Sequence, residues 1–250
     1  MIQKLDSVPK ERLADISRKR IFFGHQSVGG NILSGFDALN QELPSPLAIK
    51  EIAELDTNET HYLCHTKIGQ NKNPLLKITD FKEKVNGDLK GKVDVAFLKF
   101  CYVDINRKTN VEEVFNSYVT TMQVLKEDNP NVQFVHFTVP IRRIEKGMKA
   151  TIKKLMGKNL EIEDNLVRMK YNQMLIDTYQ GKEPIFDLAK VQSTMANGSQ
   201  EFGYLGKEKV YALVPEYASD LGHLNDQGSK YVGEQLLVFL SNLDLKPVNN

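Results

Sequence analysis

Near its C-terminal end the chain reads Ser219-Asp220-Leu221-Gly222-His223-Leu224-Asn225, with an acid and an imidazole three residues apart on a turn leading into an amphipathic stretch. A carboxylate bonded to one imidazole nitrogen holds the ring in one tautomer and stabilises the imidazolium, which leaves the other nitrogen to take a proton from a nucleophile. Asp220 and His223 therefore pose a search for that nucleophile. The strongest candidate lies at the opposite end of the chain. There the apolar run Arg20-Ile21-Phe22-Phe23-Gly24 is followed by His25-Gln26-Ser27-Val28-Gly29-Gly30-Asn31. Strand, tight turn and helix in succession place Ser27 at the carboxyl edge of a parallel sheet. It also lies near a helix N-terminus, whose N–H groups favour developing negative charge. A serine after a strand more commonly caps a helix; the late acid and imidazole give Ser27 a chemical partner.

The elements that must position these groups follow from the hydrophobic pattern. Residues 10–19 predict a polar helix, and the stretch His25–Leu33 is followed by helix-compatible spacing to about Leu43. Residues 47–52 predict a second strand after Pro44-Ser45-Pro46. The polar stretch 56–73, which holds His61, His65 and Ile68-Gly69-Gln70-Asn71, predicts a long functional loop with little secondary structure of its own. Helical spacing resumes over 75–85. Residues 93–100 form the clearest buried strand, with Cys101-Tyr102-Val103-Asp104 at its C-terminal edge. An amphipathic helix over 111–126, a strand over 132–139, a helix over 164–179 and a short strand over 184–188 follow. Residues 192–209 read as loop, and Asn225 N-caps a last helix that buries Val232, Leu236 and Leu240. Residues 142–158 carry seven basic residues and one acid, with Ile144, Met148 and Ile152 at helical spacing. They predict a solvated helix over the rim, or else a lid or interaction helix. Five strand-like runs alternating with helices predict one α/β domain over residues 1–250, its mainly parallel sheet covered on both faces.

Bulk properties exclude several functions. Thirty-three Lys+Arg against 32 Asp+Glu give a formal charge of +1, so no global field draws in nucleic acid or an anionic membrane. No apolar run reaches the ~18 residues of a membrane helix, so the chain as written reads as soluble and cytoplasmic. An exported chain trimmed of its leader would read the same. Two cysteines, Cys64 and Cys101, make no disulfide framework and are read as reduced.

The order Ser27 first and Asp-x-x-His last resembles the SGNH (GDSL-like) hydrolase superfamily. Gly24-His25-Gln26-Ser27 stands for its first block, Gly69 for its second, Cys101-Tyr102-Val103-Asp104 for the G-x-N-D block and Asp220-Leu221-Gly222-His223 for the last. The resemblance implies a three-layer αβα, doubly wound, flavodoxin-like fold with a five-stranded sheet. It also implies a serine ester hydrolase acting through Ser27, His223 and Asp220, with the N–H groups of Ser27 and Gly69 as oxyanion donors. His25, Gln26, Gln70, Asn71 and Tyr102 are then candidate substrate contacts, and no metal or organic cofactor is expected. The expected partner is a small-molecule or carbohydrate ester, an O-acetyl ester being one case. The chain departs from the pattern twice: GHQS replaces GDS, and Val103 stands where the family has its oxyanion asparagine, with Cys101 where a glycine precedes it. Asp104 is expected to tether its loop.

Two rival readings follow. A binding protein for a glycan or acylated ligand keeps the fold without the catalysis, and the valine at 103 gives it weight. A metal-dependent hydrolase would use His61, His65 and His223, although the HYLCH stretch lacks the acid of an H-E-x-x-H helix. Cys101 at its strand edge is a further candidate nucleophile, with nothing to distinguish it from a small buried residue.

Overall fold

The computed structural model describes residues 4–43, 45–56, 58–145, 147, 156 and 161–244. Five strands, β1 (Arg20–His25), β2 (Ala48–Glu51), β3 (Tyr62–Lys67), β4 (Val95–Leu98) and β5 (Gln133–Phe134), form a parallel sheet in the order β2-β3-β1-β4-β5. Beyond Val135, whose N–H still bonds the Ala96 carbonyl, the chain continues as β6 (His136–Phe137), which pairs in parallel with β7 (Ile185–Phe186). From β1 the chain goes to the edge strand β2, returns to β3 beside β1, then crosses to β4 on the other side of β1 and on to the far edge. The order therefore reverses at β1, the switch point where doubly wound sheets open their functional crevice.

Alternation along the strands divides the interior into two layers. Ile21, Phe23, Leu63, Val95, Phe97 and Phe137 face one side, where α2 (Val28–Asn40) and α7 (Asp226–Ser241) cover them. Phe22, Cys64, Ala96, Leu98 and Phe134 face the other, under α3 (Pro74–Asn86), α4 (Val111–Asp128) and α5 (Glu161–Tyr179). Among the described residues the remaining α-helices are α1 (Lys10–Ile16) and α6 (Leu188–Ser193). Because both faces are buried, the strands read as apolar runs instead of alternating ones. The α2–α7 pair bears directly on function, since α2 starts beside Ser27 and α7 starts just after His223. Its close approach depends on glycine: an added Cβ at Gly35 would lie 1.8 Å from the Ser229 carbonyl oxygen, and one at Gly233 would lie 2.3 Å from Phe36 N.

Two expectations are corrected. Residues 56–73 are not one long loop, because they contain β3, an interior strand paired with both β1 and β2. Only Tyr62, Leu63 and Cys64 of this strand are buried, and the second half, His65-Thr66-Lys67, is polar because it runs out to the site edge. Residues 192–209 contain the end of α6 and an antiparallel hairpin, β8 (Phe202–Leu205) with β9 (Glu208–Tyr211), closed by Gly206-Lys207 with Gly206 at φ +63°. Most of the basic stretch 142–158 lies outside the described residues. Among the described residues no helix is long and apolar enough to cross a membrane.

Candidate active site

β1 delivers the chain to Gln26-Ser27, and α2 begins at the next residue. Ser27 has φ +47° and ψ −109°, a conformation that costs a residue with a Cβ of order 1–3 kcal/mol and persists only where the surroundings enforce it. Here they do. The Gln26 side-chain amide donates to the carbonyls of Ile68 (3.2 Å) and Gly69 (3.0 Å), the Gln26 carbonyl accepts from Gly29 N–H (3.0 Å) and the Ser27 carbonyl accepts from Gly30 N–H (2.8 Å). The Ser27 side chain makes no capping bond to α2. Its Oγ lies 2.6 Å from His223 Nε2 instead.

His223 is held from its other nitrogen. Nδ1 lies 2.6 Å from Asp220 Oδ2, and Asp220 Oδ1 accepts the N–H groups of Gly222 (2.6 Å) and His223 (2.8 Å). An ionised Asp220 assigns the proton to Nδ1 and leaves the Nε2 lone pair for the Ser27 O–H. Partial burial raises the Asp220 carboxyl, but these two N–H groups and the imidazole outweigh it and bring its pKa down to about 2. The loop is tied to the sheet edge through Arg143 N–H, which donates to the Leu221 carbonyl at 2.8 Å. Asn225 then caps α7 by accepting Gly228 N–H at 2.9 Å. Chemically, this chain of hydrogen bonds can pass a proton from a serine hydroxyl to an imidazole buttressed by a carboxylate, beside the N–H groups that open α2.

The other expected residues are placed less uniformly. Tyr102 joins the site: its hydroxyl lies 3.4 Å from His223 Nε2 and its ring stands edge-on to the imidazole. Gln70 and Asn71 are exposed, and the Asn71 Oδ1 accepts from Lys77 Nζ at 2.8 Å. His25 is not placed for substrate contact. It is 5 % exposed, sits under Gly29 and approaches His65 Nδ1 at 3.3 Å, because alternation along β1 turns its side chain into the α2 layer. Burial, with Lys99, His65 and Lys67 nearby, lowers its pKa to about 3. The amide of Gln26 is spent on the Ile68 and Gly69 carbonyls. The Gly69 N–H is likewise unavailable as an oxyanion donor, since it donates to Asp80 Oδ2 at 2.7 Å.

Val103 is half-buried against the core, so the third block offers no side-chain donor there. Asp104 does tether its loop: it accepts the N–H groups of Cys101 (2.6 Å) and Lys72 (2.8 Å) and the buried Lys77 ammonium (2.6 Å). Cys64 and Cys101 are free and buried. His65 lies in β3 and His61 just precedes it, so extended chain separates them by roughly 13 Å in place of one helical turn. Among the described residues no group of three or more His, Cys, Asp or Glu is disposed around a metal position.

Sequence reasoning missed Asp80 and Arg142. Asp80 carries no signal, because only the fold brings α3 against the loop after β3. Arg142 follows a strand at the carboxyl edge of the sheet, which was a usable hint. Its guanidinium carbon lies 4.9 Å from the Tyr102 ring centroid. A cleft of ≈ 580 Å³ opens beside it, with Lys72, Val103, Lys108 and Arg142 among its walls.

No family model matches the chain, and no curated protein does. Solved structures do. One is of a Streptococcus pneumonia protein assigned as a platelet activating factor (16% identity, 94% of each chain covered, TM-score 0.49). Another is of a protein assigned to the lipolytic G-D-S-L family from Desulfitobacterium hafniense (9%, 88% of this chain and 98% of that one, TM-score 0.47). A third is the periplasmic domain of a lipopolysaccharide acetyltransferase from Salmonella ser. Paratyphi A (13%, 90% and 86%, TM-score 0.47). With every one of these scores below 0.5, the chemistry proposed next stands on this chain's own residues.

Proposed function

We propose that this chain is a serine ester hydrolase of SGNH type. The observation that carries the reading is the continuous contact Ser27 Oγ to His223 Nε2 to Asp220, 2.6 Å at each step, between residues from opposite ends of the chain. His223 takes the Ser27 proton as Oγ attacks the ester carbonyl, Asp220 stabilises the imidazolium, and water then cleaves the acyl-enzyme. The Ser27 N–H at the start of α2 serves the oxyanion. Small acyl groups are the expected substrates, with O-acetyl esters of carbohydrates as the case that the motif resemblance suggests.

A second reading is favoured by a specific observation. Val103 cannot donate, and the Gly69 N–H is engaged by Asp80. Each missing oxyanion donor costs about 3–4 kcal/mol, or roughly 10²–10³ in rate. A protein of this fold that binds a glycan or acylated ligand without turning it over would tolerate both changes. Hydrolysis of p-nitrophenyl acetate by wild type, Ser27→Ala and His223→Ala separates the two readings. The hydrolase is expected to lose at least 10²-fold in each variant and to take a fluorophosphonate on Ser27. A wild type no faster than the variants, and unlabelled, would leave the binding protein.

A further inference from the structure

The imidazole nitrogen that faces Ser27 has a second neighbour. His223 Nε2 lies 2.6 Å from Ser27 Oγ and 3.4 Å from the Tyr102 phenol oxygen. In an acyl transfer this nitrogen receives the serine proton and then delivers it to the departing oxygen. That oxygen must therefore come within hydrogen-bond reach of Nε2 on a side that Oγ does not occupy. The phenol oxygen already marks such a side. An oxygen bonded to Nε2 there would sit next to the Tyr102 hydroxyl.

That hydroxyl is held in place and short of partners. Tyr102 is 8 % exposed, and a Cβ at Gly222 would lie 2.6 Å from its Cε1, so glycine there lets the ring lie against the histidine loop. The guanidinium carbons of Arg142 and Arg168 lie 4.9 and 5.9 Å from the ring centroid, and Arg168 Nε donates to the Tyr102 carbonyl at 2.9 Å. The hydroxyl has one hydrogen-bond partner among the described residues, Nε2, whose lone pair is engaged at shorter range by Ser27. A confined O–H donor with only a shared acceptor is available to an incoming oxygen. Burial is the main influence on the phenol and raises its pKa, with Arg142 opposing, so at neutral pH it is a donor.

Building on the hydrolase reading, we propose that Tyr102 is a catalytic residue whose hydroxyl donates to the leaving oxygen of the ester, and to the attacking water in the second half-reaction. As the bond from Oγ to the acyl carbon forms, the serine proton passes to Nε2. As the bond from that carbon to the alcohol oxygen breaks, the same proton passes from Nε2 to the alcohol. Tyr102 keeps its own proton throughout and hydrogen-bonds the oxygen while its negative charge grows. Deacylation retraces these steps with water in place of the alcohol.

The test is kcat/KM, which reports acylation, for Tyr102→Phe against wild type on ethyl acetate and on p-nitrophenyl acetate. Ethoxide is a poor leaving group that needs the donor, and nitrophenolate needs it little. The expected loss is roughly 10²–10³-fold on ethyl acetate and less than a tenth of that on the nitrophenyl ester. The variant keeps the ring and is expected still to take the fluorophosphonate on Ser27. Equal losses on the two esters would assign Tyr102 to the oxyanion or to packing, and no loss on ethyl acetate would remove it from the chemistry; either result overturns the proposal. A wild type inert toward both esters and unlabelled at Ser27 would instead remove the hydrolase reading, and this role with it.

Discussion

The backbone at Ser27 predicts an order of stability between two ordinary substitutions. Ser27→Ala and Ser27→Gly both remove the hydroxyl and its bond to His223, and neither removes a cap, because the serine makes none. They differ in how they treat φ +47°, ψ −109°. Alanine keeps the Cβ and with it a strain of order 1–3 kcal/mol. Glycine releases the strain but gains conformational freedom in the unfolded chain, which costs it about 0.5–1 kcal/mol relative to alanine. The difference leaves Ser27→Gly more stable than Ser27→Ala by about 1 kcal/mol, the reverse of the order inside a helix. For a 250-residue chain this corresponds to a Tm difference of roughly 2–4 °C. Urea unfolding of both variants, followed by far-ultraviolet circular dichroism under identical conditions, measures it. If Ser27→Ala proves as stable as Ser27→Gly, the turn is not strained and the claim that the surrounding bonds hold Ser27 in a costly conformation is wrong.

Two further outcomes follow from the packing around the site. His25 titrates at about 3 in the fold against an ordinary value of 6.5, so between these pH values the unfolded chain carries a proton that the folded chain does not. Stability therefore falls as pH drops below 6.5, by about 1.4 kcal/mol per unit from this group, and His25→Gln is expected to flatten the urea-derived slope between pH 6 and 5 by about that amount; an unchanged slope counts against a buried neutral imidazole. Gly35→Ala places a Cβ 1.8 Å from the Ser229 carbonyl and is expected to cost about 3 kcal/mol or more and to lower ester turnover, because α2 and α7 carry the two halves of the site. Retained stability, measured by urea unfolding, would show that the helices can separate freely.

What was legible in the sequence was local or periodic. Asp220 and His223 lie three residues apart on one turn, so their contact needs no tertiary knowledge, and Asn225 announces the start of α7 by a bond to a residue three further on. The strands β1 and β4 are long apolar runs because both faces are covered. β3 was missed although it lies in the sheet interior, because only Tyr62, Leu63 and Cys64 are buried and polar residues follow them to the site edge. The hairpin was missed because it lies outside the main sheet, with neither strand continuously apolar.

The oxyanion side of the site illustrates a deeper limit. Gly69 was expected to donate from its position in the chain order, but the direction of an N–H depends on the φ and ψ of the loop and on what the fold places opposite it. Gly69 has φ +51° and packs against Lys77 of α3, one turn before Asp80, whose carboxylate takes the N–H. Gln26 reinforces this arrangement by binding the Ile68 and Gly69 carbonyls from the other side. The same bonds help to hold Ser27 in its strained turn. Freeing the Gly69 amide would require the loop to rotate and would loosen the support of Ser27. With valine at 103 as well, the proposed chemistry leaves donation to the reacting oxygens to groups that keep this loop in place: the N–H of Ser27 on one side, and on the imidazole side a hydroxyl carried by Tyr102, on a loop that Asp104 and Lys77 fix.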